Sequence, residues 1–188
     1  MDEAAERELV RRFKDGDMAA FDILVEEHQA RVYRLAYRLT GGPQEADALT
    51  QDAFVQAFQS LPGFGGRSRF MTWLYAITVR KAVDRRRERA RHAAFSLTDR
   101  LDPVVDARRP ADQDPAVVLR EKELSELLAE AIGKLPADQR AALALVVQEG
   151  LSYREASKAL RCSQGTVAWR VWNARRLLRE MLGKHLAG

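Results

Sequence analysis

Apolar residues in this chain recur at intervals of three and four, and no segment alternates apolar with polar residues as a half-buried strand would. After Asp17, a residue able to cap a helix, Phe21, Leu24, Val25, Val32, Leu35, Ala36 and Leu39 keep that period. Gly41, Gly42 and Pro43 stop the run, and Pro43 suits the first turn of a following helix. In that helix Ala46, Leu49, Ala53, Ala57 and Leu61 share one side, until Pro62 and Gly63 end it. Beyond the loop GFGGRS a further helix starts near Phe70, with Phe70, Trp73, Leu74 and Ile77 as its expected buried residues. It runs into KAVDRRRERAR, whose surface is almost wholly cationic. The fold class is therefore all-α.

The period lapses from His92 to Asp114, where HAAFSLTDRLDPVVDARRPADQD holds prolines at 103 and 110 and five aspartates. A structureless connection of this length is unusual inside one compact domain and reads as a flexible acidic linker. At ~3.3 Å per residue it reaches up to ~75 Å. Two small helical domains, residues 1–91 and 115–188, are expected on either side of a linker over 92–114. Asp114-Pro115 opens the second domain, with Val118, Leu124, Leu127, Leu128 and Ile132 as the apolar face of its first helix. Leu135-Pro136 restarts the chain in a helix through Val147, which Gly150 ends. The stretch LSYREASKALRCSQGTVAWRVWNARRLLREML then reads as a helix, a three-residue turn and a longer helix. Ser152 and Glu155 form a capping box for the first, and Ser163 caps the second.

Charge is segregated along the chain. The overall +4 divides into −5 over residues 1–66, +7 over 67–97, −4 over 98–149 and +6 over 150–188. Two basic blocks separated by acidic stretches suggest two contacts with a polyanion. The longest apolar run, Ala141 to Val147, is far too short to cross a bilayer, so no membrane insertion is expected. The acidic, polar start MDEAAERELV does not resemble a secretion signal. One cysteine, Cys162, and three dispersed histidines point to a reducing, cytoplasmic setting with no metal cage and no cofactor. No nucleophile–base pair or phosphate loop is visible, so the chain does not read as an enzyme.

The longer helix of the pair places Val167, Val171, Ala174 and Leu178 within about 40° of one direction at ~100° per residue. Gly165, Trp169, Trp172 and Arg176 face the opposite way, flanked by Ala168, Arg175 and Arg179. A basic, solvent-facing helix after a short turn is the recognition element of helix-turn-helix proteins. Gly165 and Thr166 at its start leave backbone N–H groups open to a phosphate. Two exposed tryptophans call for a partner, either DNA or an inhibitory protein.

These residues, with further fragments, resemble the extracytoplasmic-function, or group IV, sigma factors of bacterial RNA polymerase. The fragments are LP…R…L…GLSY.EA…L.CS.GTV..R…AR over Leu135 to Arg175, AF at Ala20-Phe21, D.L.Q.AF..A over Asp47 to Ala57, and L..F.G.S.F.TWLY.I over Leu61 to Ile77. The resemblance implies docking on core RNA polymerase through Asp47, Leu49, Gln51 and Asp52. It implies recognition and melting of the minus-ten promoter DNA by Phe64, Gly66, Arg67, Ser68, Phe70, Arg80, Lys81, Asp84 and Arg85. It implies minus-thirty-five contacts from Ser163, Gln164, Gly165, Thr166, Ala168, Trp169, Arg170, Trp172, Arg175 and Arg176. An anti-sigma factor is an implied partner, and the free protein is expected to be a monomer.

The residues agree with these roles. Gly65 and Gly66 permit close backbone approach and Phe64 offers a stacking face for an unpaired base, while the arginines can neutralise phosphates. Three positions depart from relatives: Ala48 where many carry an acid, Arg80 where asparagine is frequent, and Ala168-Trp169 where a cation–serine pair is usual. Ala76-Ile77 stands where housekeeping relatives carry a melting tryptophan pair. Two other readings of these residues fit less well. A stand-alone helix-turn-helix regulator would leave residues 43 to 91 unexplained and normally needs a dimer element. A protein-binding adaptor would make both basic blocks incidental.

Overall fold

Helix ends in this protein fall where capping chemistry places them. The computed structural model describes the backbone of residues 1–92 and 115–186 and the side chains of 1–88 and 123–183. The first helix, α1 (Glu3–Lys14), is capped by Asp2, whose carboxylate accepts the Ala5 N–H at 2.8 Å. Glu3 and Glu6 in its first turn and Arg11, Arg12 and Lys14 in its last complement the helix dipole. Next comes α2 (Ala19–Thr40), with Met18 rather than Asp17 at the cap position. Asp17 instead pairs with Arg12 at 2.6 Å, and that guanidinium is the main reason its carboxyl is held below the ordinary range. The N–H groups of Ala20 and Ala19 add to the effect, so Asp17 still serves the start of α2 from one residue further out. Pro43 opens α3 (Pro43–Ser60) as expected, and a 3-10 turn, Leu61–Gly63, leads into the loop before α4 (Phe70–His92).

The carboxy-terminal half contains α5 (Pro115–Gly133), α6 (Ala137–Leu143), a π-turn (Ala144–Gln148), α7 (Tyr153–Leu160) and α8 (Gln164–Leu186). All elements among the described residues are helices. The expected linker lies outside the described residues, except for His92 at the end of α4. In the capping box of α7, the Ser152 hydroxyl accepts the Glu155 N–H at 3.2 Å and the Glu155 carboxylate accepts the Ser152 N–H at 3.0 Å.

Leu24, Leu35, Leu61 and Leu74 are fully buried among α1–α4, with Phe13, Phe21 and Phe58 in contact beside them at ring separations of 5.2 to 5.5 Å. In the second half Leu135, Leu145, Val167, Val171 and Ala174 form the centre. The apolar face expected for α5 is only partly buried: Leu127 and Ile132 are half-buried and Leu124 and Leu128 exposed, and Ala131 is the buried residue. This helix packs on α8, and that contact leaves Leu124 and Leu128 uncovered. Val118 lies outside the described side chains.

The two helical units are recognisable but not apart. Helix α4 packs against α7, and the buried apolar residues of both halves form one continuous cluster. Arg140, only 5% exposed, donates from α6 to the Leu39 carbonyl at the end of α2 at 3.2 Å, and also to the Gly133 and Leu135 carbonyls. The long reach of the linker sequence gives no sign of this packing.

Candidate nucleic-acid interface

Helix α8 starts on Ser163, whose hydroxyl accepts the Thr166 N–H at 3.1 Å, with Gln164 and Gly165 exposed in the first turn. Val167, Val171 and Ala174 bury one stripe of the helix, while Leu178 is partly covered. The opposite side presents Trp169 and Trp172, 56% and 57% exposed. Arg176 lies over the Trp172 ring at 6.0 Å, a cation–π arrangement that keeps both groups at the surface. Arg175 is exposed beside them and Ala168 is half-buried. Arg170 goes elsewhere: it borders the buried stripe, and its guanidinium pairs with Asp138 of α6 at 2.7 Å. That pairing ties α8 to α6, so Arg170 is a strut behind the outer face, not part of it.

In the loop between Leu61–Gly63 and α4, the Phe64 carbonyl accepts Lys14 Nζ at 2.5 Å. The Phe64 ring packs 4.9 Å from Trp73 and 6.4 Å from Phe70, so one of its faces is already taken. Gly66 has φ +65°, a conformation that L side chains rarely adopt, and Arg67 is exposed beside it. Ser68 is half-buried. Phe70 cannot touch DNA directly. It is 3% exposed and sits as a floor, its ring 5.5 Å from the buried His28.

Along α4 runs a cleft of about 630 Å³, walled by Gln56, Trp73, Ile77, Arg80, Lys81 and Asp84. Arg80 is half-buried, and its Nε donates to the Ala76 carbonyl at 2.9 Å. Burial lowers its pKa first, and Arg161 of the second half adds like-charge repulsion. Arg85 is engaged by Asp52 at 2.6 Å and by the Ala48 carbonyl at 3.1 Å. Arg161, just after α7, lines the same cleft, and Lys158 of α7 reaches the Arg67 carbonyl at 3.4 Å. The carboxy-terminal half thus stands over part of the basic surface of the amino-terminal half.

On α3, Asp47 and Gln51 are exposed and Asp52 is half-buried in its pair with Arg85. Leu49 is fully buried against Ala36 and Ala46, since its place in the apolar period turns it inward, and it cannot form a docking contact. Two further residues continue the Asp47 and Gln51 face: Val55, 57% exposed, and Phe58, 43% exposed although one side of its ring packs on Phe13 and Phe21. The signal was available, because both are apolar residues lying off the buried stripe of α3.

Two family models match the chain: Sigma-70 region 2 over residues 24–92 and Sigma-70, region 4 over residues 125–178. The RNA polymerase sigma-H factor of Pseudomonas aeruginosa is 33% identical, with 94% of this chain and 93% of that protein covered. The chain belongs to the extracytoplasmic-function group of the sigma-70 family. Other relatives include the ECF RNA polymerase sigma factor SigE of Mycolicibacterium smegmatis, 38% identical over 90% of this chain. The chain spans 65% of that longer protein's length. Among solved structures, CnrH in complex with the cytosolic domain of CnrY has a TM-score of 0.68 at 26% identity, covering 96% of this chain and 98% of that one. The region 2 match takes in the cleft and the α3 face, and the region 4 match takes in the turn and most of α8. In this sigma factor no group of metal-ligating side chains, and no helix long and apolar enough to cross a membrane, occurs among the described residues.

Proposed function

We propose that this sigma factor directs core RNA polymerase to promoters through two DNA surfaces, one in each half. The outer face of α8, with Gln164, Gly165, Trp169, Trp172, Arg175 and Arg176, enters the major groove of the minus-thirty-five element. The cleft along α4, with Arg80 and Lys81, and Arg67 in the loop before it, receive the opened strand of the minus-ten element, and an unpaired base fits beside Trp73. The face of α3 carrying Asp47, Gln51, Val55 and Phe58 docks on the polymerase. It acts without catalysis of its own, in the cytoplasm where its polymerase works. The observation that carries this reading is the presence, on both family-matched segments, of half-exposed cations set beside aromatic rings: Arg176 over Trp172, and Arg80 and Lys81 around the cleft that Trp73 lines. Cations neutralise phosphates in a salt-dependent way, while ring faces and edges meet bases, sugars or thymine methyls.

An anti-sigma protein is the second class of partner. CnrH, of the same fold, is held by the cytosolic domain of CnrY. The half-exposed tryptophans of α8 provide the apolar area such a protein would cover.

Run-off transcription with core polymerase and a promoter library tests the proposal. A defined subset of templates is expected to give transcripts only when the full chain is added. Trp169→Ala should lower output from those templates about tenfold, the scale of an interface hot spot. Binding to paired half-sites as a dimer, with no polymerase-dependent transcript, would replace the proposal with a stand-alone regulator.

A further inference from the structure

Arg31, Arg34 and Arg38 follow one another on α2 at spacings of three and four, so they lie within about 60° of one direction at ~100° per residue. They line a pocket of about 370 Å³ at the junction of the halves, together with Arg69, Thr72 and Tyr75. Two carboxylates, Glu149 and Glu155, line the same space, and Arg69 is also paired with Glu3 at 3.2 Å, so the repulsion left for an anion to relieve falls on the three arginines of α2. Part of that need is met from within. Glu149, at the end of the π-turn in the second half, has a side chain only 8% exposed and accepts Arg38 at 2.6 Å and the Tyr75 hydroxyl at 2.5 Å. Gly150 follows with φ +69°, the sharp turn that lets the carboxylate reach back across the junction. Arg31 and Arg34 are exposed and no ion pair within 4.0 Å is seen for either among the described residues, although, behind the amino-terminal ammonium, the charge of Arg31 helps lower the pKa of Glu27 one turn back on α2.

We propose that Arg31, Arg34, Arg38 and the Tyr75 hydroxyl form a phosphate-binding site for the promoter strand, which Glu149 occupies as an internal stand-in while the halves are packed together. A guanidinium binds a carboxylate or a phosphate through the same planar fork, so one site serves both anions in turn. Tyr75 stays a neutral donor, because burial first, and then Glu149, push its pKa well above the ordinary range. The site is continuous with the loop of the minus-ten surface. Arg69, two residues after Arg67 in that loop, lines the same pocket, so a strand captured at Arg67 lies next to it once Arg69 exchanges Glu3 for a phosphate. This continuity favours a nucleic-acid strand over an acidic protein segment. Release of Glu149 would therefore both part the halves and bare the cations that the strand needs. The inference rests on the proposed promoter role.

Binding of a fluorescent single-stranded oligonucleotide to the full chain, measured across a salt series, tests the site. Glu149→Gln should tighten binding about fivefold, since a charge-assisted pair becomes a weaker neutral one. Glu26→Gln, which removes an equal charge from an exposed position on α2, should change it less than twofold. The double variant Arg31→Ala/Arg34→Ala should lower the slope of log affinity on log salt by ~1.4, as expected for two lost single-strand phosphate contacts. An unchanged slope, or equal gains for Glu149→Gln and Glu26→Gln, would overturn the proposal. So would an effect of the arginine variant on polyglutamate binding without one on the oligonucleotide. The same proteins assayed with core polymerase separate the two failures. Promoter-directed transcription that persists while the slope is unmoved removes only the phosphate site, whereas its absence from the wild-type chain removes the promoter role.

Discussion

Aromatic side chains do opposite work in the two halves. In the amino-terminal unit Phe13, Phe21, Phe54, Phe70 and Tyr75 are buried, and the aromatic rings there pack on one another. In the carboxy-terminal unit every described aromatic residue, Tyr153, Trp169 and Trp172, is exposed, and the interior is built from alanine, valine and leucine. One unit spends most of its aromatic rings on its own stability, with Phe58 the exposed exception, and offers cations, glycines and a cleft. The other keeps a small interior and leaves its largest rings for partners. The difference teaches that aromatic content by itself says nothing of a core: the turn of the helix on which a ring sits decides its use.

Substitution of aromatics in each half gives the largest contrast. Phe21→Ala, which removes a 6%-exposed ring touching Phe13, Phe54 and Phe58, should cost about 3–5 kcal/mol in urea unfolding. Trp172→Ala should change stability by less than ~0.5 kcal/mol, because an exposed position away from packing is being altered. A loss above ~2 kcal/mol for Trp172→Ala would break the comparison, since it would make the ring a packing element.

Arg140 tests how far the halves depend on each other. Arg140→Met leaves the Leu39, Gly133 and Leu135 carbonyls without a strong donor and should cost about 2–3 kcal/mol. Hydrogen exchange at the end of α2 should rise along with that in α6. Faster exchange in α6 alone would show that the contact with Leu39 contributes nothing.

Arg170→Ala should lower stability by about 1 kcal/mol through loss of the Asp138 pair, with Asp138→Ala giving a similar loss and the double variant little more. Additive losses in that cycle would mean the two side chains act independently, and Arg170 would return to the list of groups free to meet DNA.

The smallest effect concerns the capping box of α7. Ser152→Ala should cost about 1 kcal/mol. The Ser152 hydroxyl, followed by its backbone N–H, lowers the pKa of Glu155 in the folded chain. A carboxyl depressed on folding contributes stability above its unfolded pKa and loses it as pH falls through the folded value. The stability of the wild-type chain should therefore decline on acidification below about pH 4.5 more than that of Glu155→Gln. Parallel pH profiles would assign the acid sensitivity to other carboxyls.

Much of this protein could be read before its structure. The breaks at Pro43, Pro115 and Gly150, the Ser152–Glu155 box and the buried stripe of α8 were all legible, as was the outward orientation of both α8 tryptophans. Asp17 was placed one residue out of register, a small error because a carboxylate can serve a helix start from either position. The apolar period of Leu49 and Phe70 points them inward, against the contacts expected of them, whereas Val55 and Phe58 lie off the buried stripe of α3 and face outward. The exposed leucines of α5 could not be foreseen, since periodicity marks a face without saying what covers it.

The sequence by itself determined the helices and their ends, because capping and apolar period act within about four residues along the chain. Tertiary structure alone decided where the charges went. Arg170 meets Asp138 across 32 positions, Tyr75 meets Glu149 across 74, and Arg38 meets the same carboxylate across 111. A long cation can serve either a phosphate or a carboxylate, and only packing that brings distant segments within a few ångströms chooses between them.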